Sequence, residues 1–311
     1  MRVTRILVRR AVSAAPLLLV LLFLTVALQA ITPGDPARAI AGPRASEAVL
    51  AATRAAYHLD DGIVQQFTSA VARALQGDLG TSNRSGVPVT TLISERAPRT
   101  AWLAALGLLV SALISLPFGI WAGTSSRFER TVVDQASLVS MNLPTYWLAL
   151  VLVLVFSLGL AWFPVGGFGE GLGDRLQHLV LPTVAISAAI APVLVRSLSE
   201  SMARVMAADH VTTARAAGLG AGTVVRRHAI RNALPPMVTL LGLQAGYIVF
   251  GLVLVESSFD INGLGTLLFE SVRERDFPVV QGLTLVLGIC VVLANLLADV
   301  AVALLDPRWS L

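Results

Sequence analysis

Apolar and polar positions alternate along this chain in long blocks. Apolar runs cover 11–31, 100–122, 135–160, 179–198, 234–256 and 279–304, separated by polar stretches of very unequal length. A helix needs about 20 consecutive apolar residues to cross a bilayer, so the pattern predicts six spans. The fourth run carries Pro182 and Pro192. Prolines survive inside a span where neighbouring helices satisfy the carbonyls they leave free, so this run predicts a packed bundle and not six separate anchors.

The polar blocks hold elements of their own. Segment 32–99 opens on the Pro/Gly-rich TPGDPARAIAGPR, continues through two predicted helices and ends on the strip GDLGTSNRSGVP. The second helix, Ile63 to Leu75, places Ile63, Phe67, Ala70, Val71 and Ala74 on one face. That face suits either part of a platform for an extracytoplasmic partner or a simple cap on the bundle. In 257–278, Gly263 and Gly265 flank Leu264 and predict a close backbone turn, which makes these three residues a candidate outer gate. The segment reads as a short re-entrant or lid-like piece or as an ordinary surface loop. Asp276 and Pro278 fit the N-cap and first turn of the last span.

The stretch 199–232, SESMARVMAADHVTTARAAGLGAGTVVRRHAIRN, is far longer than a connector needs. Asp209 predicts a cap for a helix from His210 to Ala217, with Gly218 closing it in the left-handed conformation. Thr223 predicts the cap of a second helix to Leu234, and Pro235 and Pro236 the start of the next span. A helix-turn-helix of this size predicts a docking surface for a cytosolic partner.

Composition narrows the class. Of 311 residues, 55% are hydrophobic and 14% charged, with a mean hydropathy of +0.76, which excludes an ordinary soluble domain. All 23 basic residues are arginine. Without lysine there is no Walker A phosphate loop, so any ATP hydrolysis must occur on another chain. Four arginines precede the first span, two lie in 123–134, six in 196–232 and one in the tail, against three in 161–178 and 257–278. The asymmetry predicts both termini on the cytoplasmic side; the seven arginines of 32–99 are discounted because long loops cross regardless of charge. The N-terminal MRVTRILVRR resembles a signal peptide, but no small-residue cleavage site closes the run, so it reads as a retained span. Cys290 is the single cysteine and reads as a packing residue.

Polar residues inside spans mark pathways or interhelical bonds. The candidates are Asn142, Gln244, Tyr247, Glu256 and Asn295, with Asp299 beside the last. Glu256 suits a mouth residue meeting a peptide amine, or a partner for Arg273 or Arg275. The histidines His58, His178, His210 and His228 share no helix face with metal-ligand spacing, and no G-x-S-x-G nucleophile is present, which disfavours metal chemistry and an intramembrane hydrolase.

Eight motifs stand in order along nearly the whole chain: NLPTYWLAL (142–150), WFPVGGFG (162–169), HLVLPT (178–183), TARAAGLG (213–220), RRHAIRNALPP (226–236), GLG (263–265), RDFPVVQGL (275–283) and ALLDPR (303–308). Together they make the chain resemble the B-type membrane subunit of dipeptide, oligopeptide and nickel ABC importers. The family's inner loop carries Glu-Ala-Ala with glycine four residues later; here Thr212, Thr213 and Ala214 precede Gly218, a variation common in peptide-type permeases. The resemblance implies an all-α, six-span bundle of the type I importer permease kind: a first segment 1–31, an extracytoplasmic region 32–99 and a permease core 100–311. It implies that Asp209, Thr213, Ala214, Arg215, Ala217, Gly218 and Leu219 form a coupling helix seated on an ATPase. It further implies a second homologous permease subunit, one or two ATPase subunits carrying the ATP and magnesium, an extracytoplasmic substrate-binding protein and membrane lipid as partners. No cofactor on this chain and no nucleic acid are implied. The setting is the cytoplasmic membrane of a prokaryote, and the cargo a di- or oligopeptide, a nickel chelate or glutathione. A secondary transporter, the rival reading, predicts an internal inverted repeat, which the sequence does not display.

Overall fold

The computed structural model describes residues 2–32, 35–42, 44–56 and 60–305; His58 and the Asp306–Arg308 end of the ALLDPR motif lie outside them. Among the described residues the fold is helical, with one isolated antiparallel bridge between Thr81 and Pro88. In chain order the helices are α1 (Arg2–Ile31), α2 (Pro36–Ala41), α3 (Glu47–Ala56), α4 (Ile63–Leu75), α5 (Val89–Thr124), α6 (Arg127–Asn142), α7 (Thr145–Leu152), α8 (Gly171–Met206), α9 (Asp209–Ala216), α10 (Ala221–Val224), α11 (Ile230–Ser258), α12 (Leu264–Glu274) and α13 (Phe277–Leu305). A π-helical turn follows α7 over Val153–Gly159, and another joins α10 to α11 over Val225–Ala229.

Four helical stretches are long and apolar enough to cross a membrane by themselves: Val12–Ile31, Val89–Thr124, Gly171–Met206 and Phe277–Leu305. Two further spans are bent pairs, Arg127–Asn142 with Thr145–Gly159 at 92° and Ala221–Ile248 with Gly251–Ser258 at 60°, giving six when each pair counts once. The predicted third span 135–160 is therefore not one rod. Pro144 has no N–H to continue a helix and forces Leu143 out of the α region, to φ −73° and ψ 123°, so α6 ends there.

The chain divides into two compact units. The first comprises 1–8, 99–262 and 293–311. Its centre is α8, where 67% of the most apolar window is buried against at most 28% in the other three long helices. Leu179, Ala185, Leu194, Leu198 and Met202 of α8 pack with Leu103 of α5, Ala149 and Leu152 of α7, and Ala229, Ala233, Val255 and Phe259 on the α11 side. Both internal prolines sit inside α8. Pro192 cannot donate to the Ala188 carbonyl, and that carbonyl accepts the Ser140 hydroxyl of α6 at 2.8 Å. The helix thus stays continuous to Met206, so Ser199–Met206 belongs to α8 and not to a separate loop.

Helix α5 meets α8 along one row of small residues four apart: Gly107, Ser111, Ser115, Gly119 and Gly123. A Cβ at Gly107 would stand 2.7 Å from Ile186 Cγ2, at Gly119 2.8 Å from Leu198 Cβ, and at Gly123 2.4 Å from Met202 Cβ and 2.8 Å from the Ser199 carbonyl oxygen. Ser111 and Ser115 are fully buried. Ser115 Oγ donates to the Ala191 carbonyl at 3.0 Å and Ser187 Oγ to the Gly107 carbonyl at 3.3 Å. At Gly242 of α11 a Cβ would lie 2.3 Å from Ala298 Cβ of α13.

The second unit comprises 9–98 and 263–292. Helix α4 has the predicted boundaries, and its Phe67, Ala70 and Val71 pack on Leu22 and Val26 of α1. Phe67 meets Phe23 edge to face with centroids 5.6 Å apart, while Ile63 stays exposed. The strip 77–88 is pinned by Asp276, whose carboxylate accepts the Ser82 hydroxyl and the Asn83 N–H. Asp276 occupies the cap position of α13, since its carbonyl accepts from Val280, but its side chain is engaged across the unit. Ion pairs Arg84–Glu274 (2.9 Å) and Arg96–Glu270 (3.1 Å) flank this junction.

Replacing Gly123 by valine forces apart two helix backbones and is expected to destabilise the protein by about 1–3 kcal/mol. Gly222→Ala, where nothing lies within 4 Å of the new methyl, serves as the control. Tryptophan-detected thermal unfolding in detergent is expected to separate them; equal midpoints would contradict the α5–α8 contact.

Candidate functional site: a docking helix and polar span positions

Helix α9 is held at the end of α8 by a small apolar cluster: Val211, Ala214 and Val224 are buried, with Val205 and Met206 packed against them. Thr212, Thr213, Arg215, Ala216, Ala217, Gly218 and Leu219 are exposed. Ala214 is therefore turned inward, away from any docking face. Gly218 adopts φ +80° as expected. Its N–H donates to the Arg215 carbonyl and that of Leu219 to the Ala214 carbonyl, a Schellman closure that uses the glycine's access to the left-handed region.

Three local expectations are corrected. Ala208, at φ −77° and ψ 150°, holds the cap position of α9 without a side-chain bond, and Asp209 is the first helical residue. A carboxylate there still faces the positive end of the helix dipole. Gly220, not Thr223, precedes α10. Pro235 and Pro236 lie inside α11 and do not begin it, because the π-helical turn Val225–Ala229 carries the helix through from α10.

The arginines of this region make few contacts among the described residues. Among the described residues Arg196, Arg204, Arg215, Arg226 and Arg227 make no ion pair or hydrogen bond, and Arg231 reaches only the Leu305 carbonyl, at 3.5 Å. Guanidinium groups left unpaired at one end of a bundle form a basic face suited to carboxylates or phosphates.

The polar span positions are dispersed. Asn142 ends α6 exposed, its Nδ2 donating to the Leu138 carbonyl at 2.7 Å. On α11, Gln244 is half-buried and Tyr247 exposed. Glu256 is fully buried and accepts the Thr100 hydroxyl of α5 at 2.6 Å. Asn295 and the buried Asp299 stand one turn apart on α13, Asn295 beside the Gly242 contact. Of the outer-gate residues, Gly263 caps α12 with extended backbone (φ −101°, ψ −164°), while Leu264 and Gly265 are buried in its first turn. The close turn predicted at the glycines is absent; the left-handed residues are Asp260 (φ 49°) and Arg275 (φ 57°), which bracket an 11-residue helix.

Two contacts were not expected from the sequence. One is the small-residue row on α5, visible as a four-residue spacing. The other is the Trp162–Gly169 segment, where a Cβ at Gly166 would lie 2.5 Å from the Phe259 carbonyl oxygen and the Gly167 N–H donates to that oxygen at 2.8 Å. This close approach at the end of α11 is why that motif carries paired glycines.

Residues 115–311 match the family described as the binding-protein-dependent transport system inner membrane component, and residues 3–104 match its N-terminal membrane component. The chain is 34% identical over 312 residues to the oligopeptide transport system permease protein AppB of Bacillus subtilis, covering 97% of this chain and 98% of that protein. It is 36% identical over 300 residues to the glutathione transport system permease protein GsiC of Salmonella typhimurium, covering 96% of each. The corresponding protein of Escherichia coli K12 is 35% identical over 301 residues, covering 96% of this chain and 97% of its own length. The helical fold and these full-length matches agree: the chain belongs to the binding-protein-dependent transport system inner membrane component family, the multi-pass permease subunits of ATP-binding-cassette importers.

Proposed function

We propose that this permease forms one half of a peptide-conducting pore with a second, homologous permease, and that oligopeptides or glutathione are its cargo. The relatives AppB and GsiC bear those cargo names, and glutathione is itself a small peptide. One or two ATPase subunits bind and hydrolyse ATP with magnesium, and an extracytoplasmic binding protein delivers the peptide. Both termini face the cytoplasm, which puts α9 on the ATPase side.

The observation that carries this reading is the construction of α9. It is too short to be stable alone, yet a buried Val211–Ala214–Val224 cluster fixes it to α8, and it presents small and hydroxyl side chains with an unpaired Arg215 outward. Small exposed residues let a partner's backbone approach closely, and the guanidinium suits acidic groups on that partner. Helix α8 is 36 residues long, about 54 Å at 1.5 Å per residue. Its buried, hydrogen-bonded course makes it a stiff rod, so a push on α9 is delivered to the core of the bundle. Closure of the ATPases on ATP would thereby rock the spans between inward- and outward-open arrangements.

Two variants test the assignment in proteoliposomes containing the assembled importer. Gly218→Leu costs the isolated chain only about 1–2 kcal/mol of left-handed strain, since open space surrounds the position. It is expected to leave insertion and hydrolysis in place while cutting uptake by about tenfold or more, the effect of roughly 1.4 kcal/mol of lost coupling. Coupled uptake at the normal rate would refute the docking role of α9. Glu256→Gln retains an oxygen for the Thr100 hydroxyl but removes the charge; reduced uptake with normal assembly is expected, and normal uptake assigns the carboxylate to structure alone.

A further inference from the structure

Arg175 is the one basic residue of the short 161–178 connection and lies in the first turns of α8. It continues the buried stripe of that helix: Leu179, Pro182 and Ile186 follow at four, seven and eleven residues, all buried. The exposed Leu172, Leu176 and Val180 mark a different face. Its guanidinium lies 4.4 Å from the ring centre of Phe168 and 5.9 Å from that of Trp102. The backbone is close here as well: at Gly169 (φ +72°) the chain passes so near the helix start that a Cβ would be 2.9 Å from the Arg175 backbone nitrogen.

The group is held but not satisfied. Arg175 Nε is buried without a hydrogen-bond partner, and among the described residues the side chain has no ion pair. The acid beside it, Asp174, accepts the Glu170 N–H at 2.7 Å and lies 3.4 Å from His178 Nδ1. A buried donor of this kind ordinarily has a partner, and an arginine clamped on aromatic rings presents Nε and one Nη as a fork matched to a carboxylate.

We propose that Arg175 is a carboxylate subsite of the transport path, receiving the C-terminal carboxylate of the peptide as it enters from the extracytoplasmic side. This rests on the peptide-permease reading and supplies the recognition chemistry that reading lacks.

The test is uptake by the complete importer in proteoliposomes, with the binding protein loaded to saturation with tri-alanine or glutathione, each as free acid and as C-terminal amide. In the wild type the free acid is expected to enter about tenfold faster than the amide, the scale of a lost charge-assisted bond. Arg175→Gln is expected to bring the free acid down to the amide rate and leave amide uptake unchanged. Arg175→Lys, which keeps the charge without the fork, is expected to fall between. The acid-to-amide ratio is internal to each variant and does not depend on expression or folding yield. A ratio unchanged in Arg175→Gln, or equal loss of acid and amide uptake, would overturn the proposal. If anionic lipid alone alters uptake of acid and amide equally, and only in the wild type, the site serves lipid and the proposal is overturned. A wild-type importer that hydrolyses ATP yet takes up none of these peptides refutes the peptide reading itself.

Discussion

The close backbone approach of α5 to α8 is the constraint on which the first unit depends. In hydrocarbon, helices gain little by burying apolar side chains from one another, and must be held by close packing and interhelical hydrogen bonds. The row Gly107, Ser111, Ser115, Gly119 and Gly123 supplies both: three positions where any Cβ would collide with α8, and the buried Ser115 hydroxyl, which donates to the Ala191 carbonyl of α8. The same economy lets α8 carry Pro192, since the Ala188 carbonyl it releases is met by Ser140 from α6.

With α8 fixed at the centre, its two ends acquire their roles. One end bears α9, held through the Val211–Ala214–Val224 cluster with Val205 and Met206 packed against it. The other bears Arg175 against Phe168 and Trp102, with the Trp162–Gly169 segment laid over the end of α11 at Phe259. One continuous helix thus joins the α9 support to a buried, unsatisfied guanidinium nitrogen at its other end. In the second unit, Asp276 plays the equivalent fixing part by tying the 77–88 strip to the start of α13.

What the sequence disclosed was what local chemistry decides. The boundaries of α4, its packing face at Phe67, Ala70 and Val71, and the left-handed Gly218 follow from periodicity and from glycine's conformational freedom. Errors arose where tertiary contacts override local signals. Pro192 looks like an interruption until the hydroxyl from α6 is known, whereas Pro144 does break its span because Leu143 is forced into extended backbone. Asp276 reads as a cap, yet its carboxylate is drawn to Ser82, 194 residues away, and Glu256 is drawn to Thr100, 156 residues away. No local pattern encodes such partners. Ala214 belonged to the recognised motif, but which side of an eight-residue helix faces inward depends on what it packs against.

Whether this chain works as a membrane subunit coupled to separate ATPases is decided by affinity purification of the tagged chain from detergent-solubilised native membranes, with mass spectrometry of the partners and an ATPase assay of the eluate. The account predicts co-purification of a second permease and one or two nucleotide-binding chains, with hydrolysis stimulated by an extracytoplasmic binding protein. Recovery of the chain alone, without ATPase activity, would contradict it.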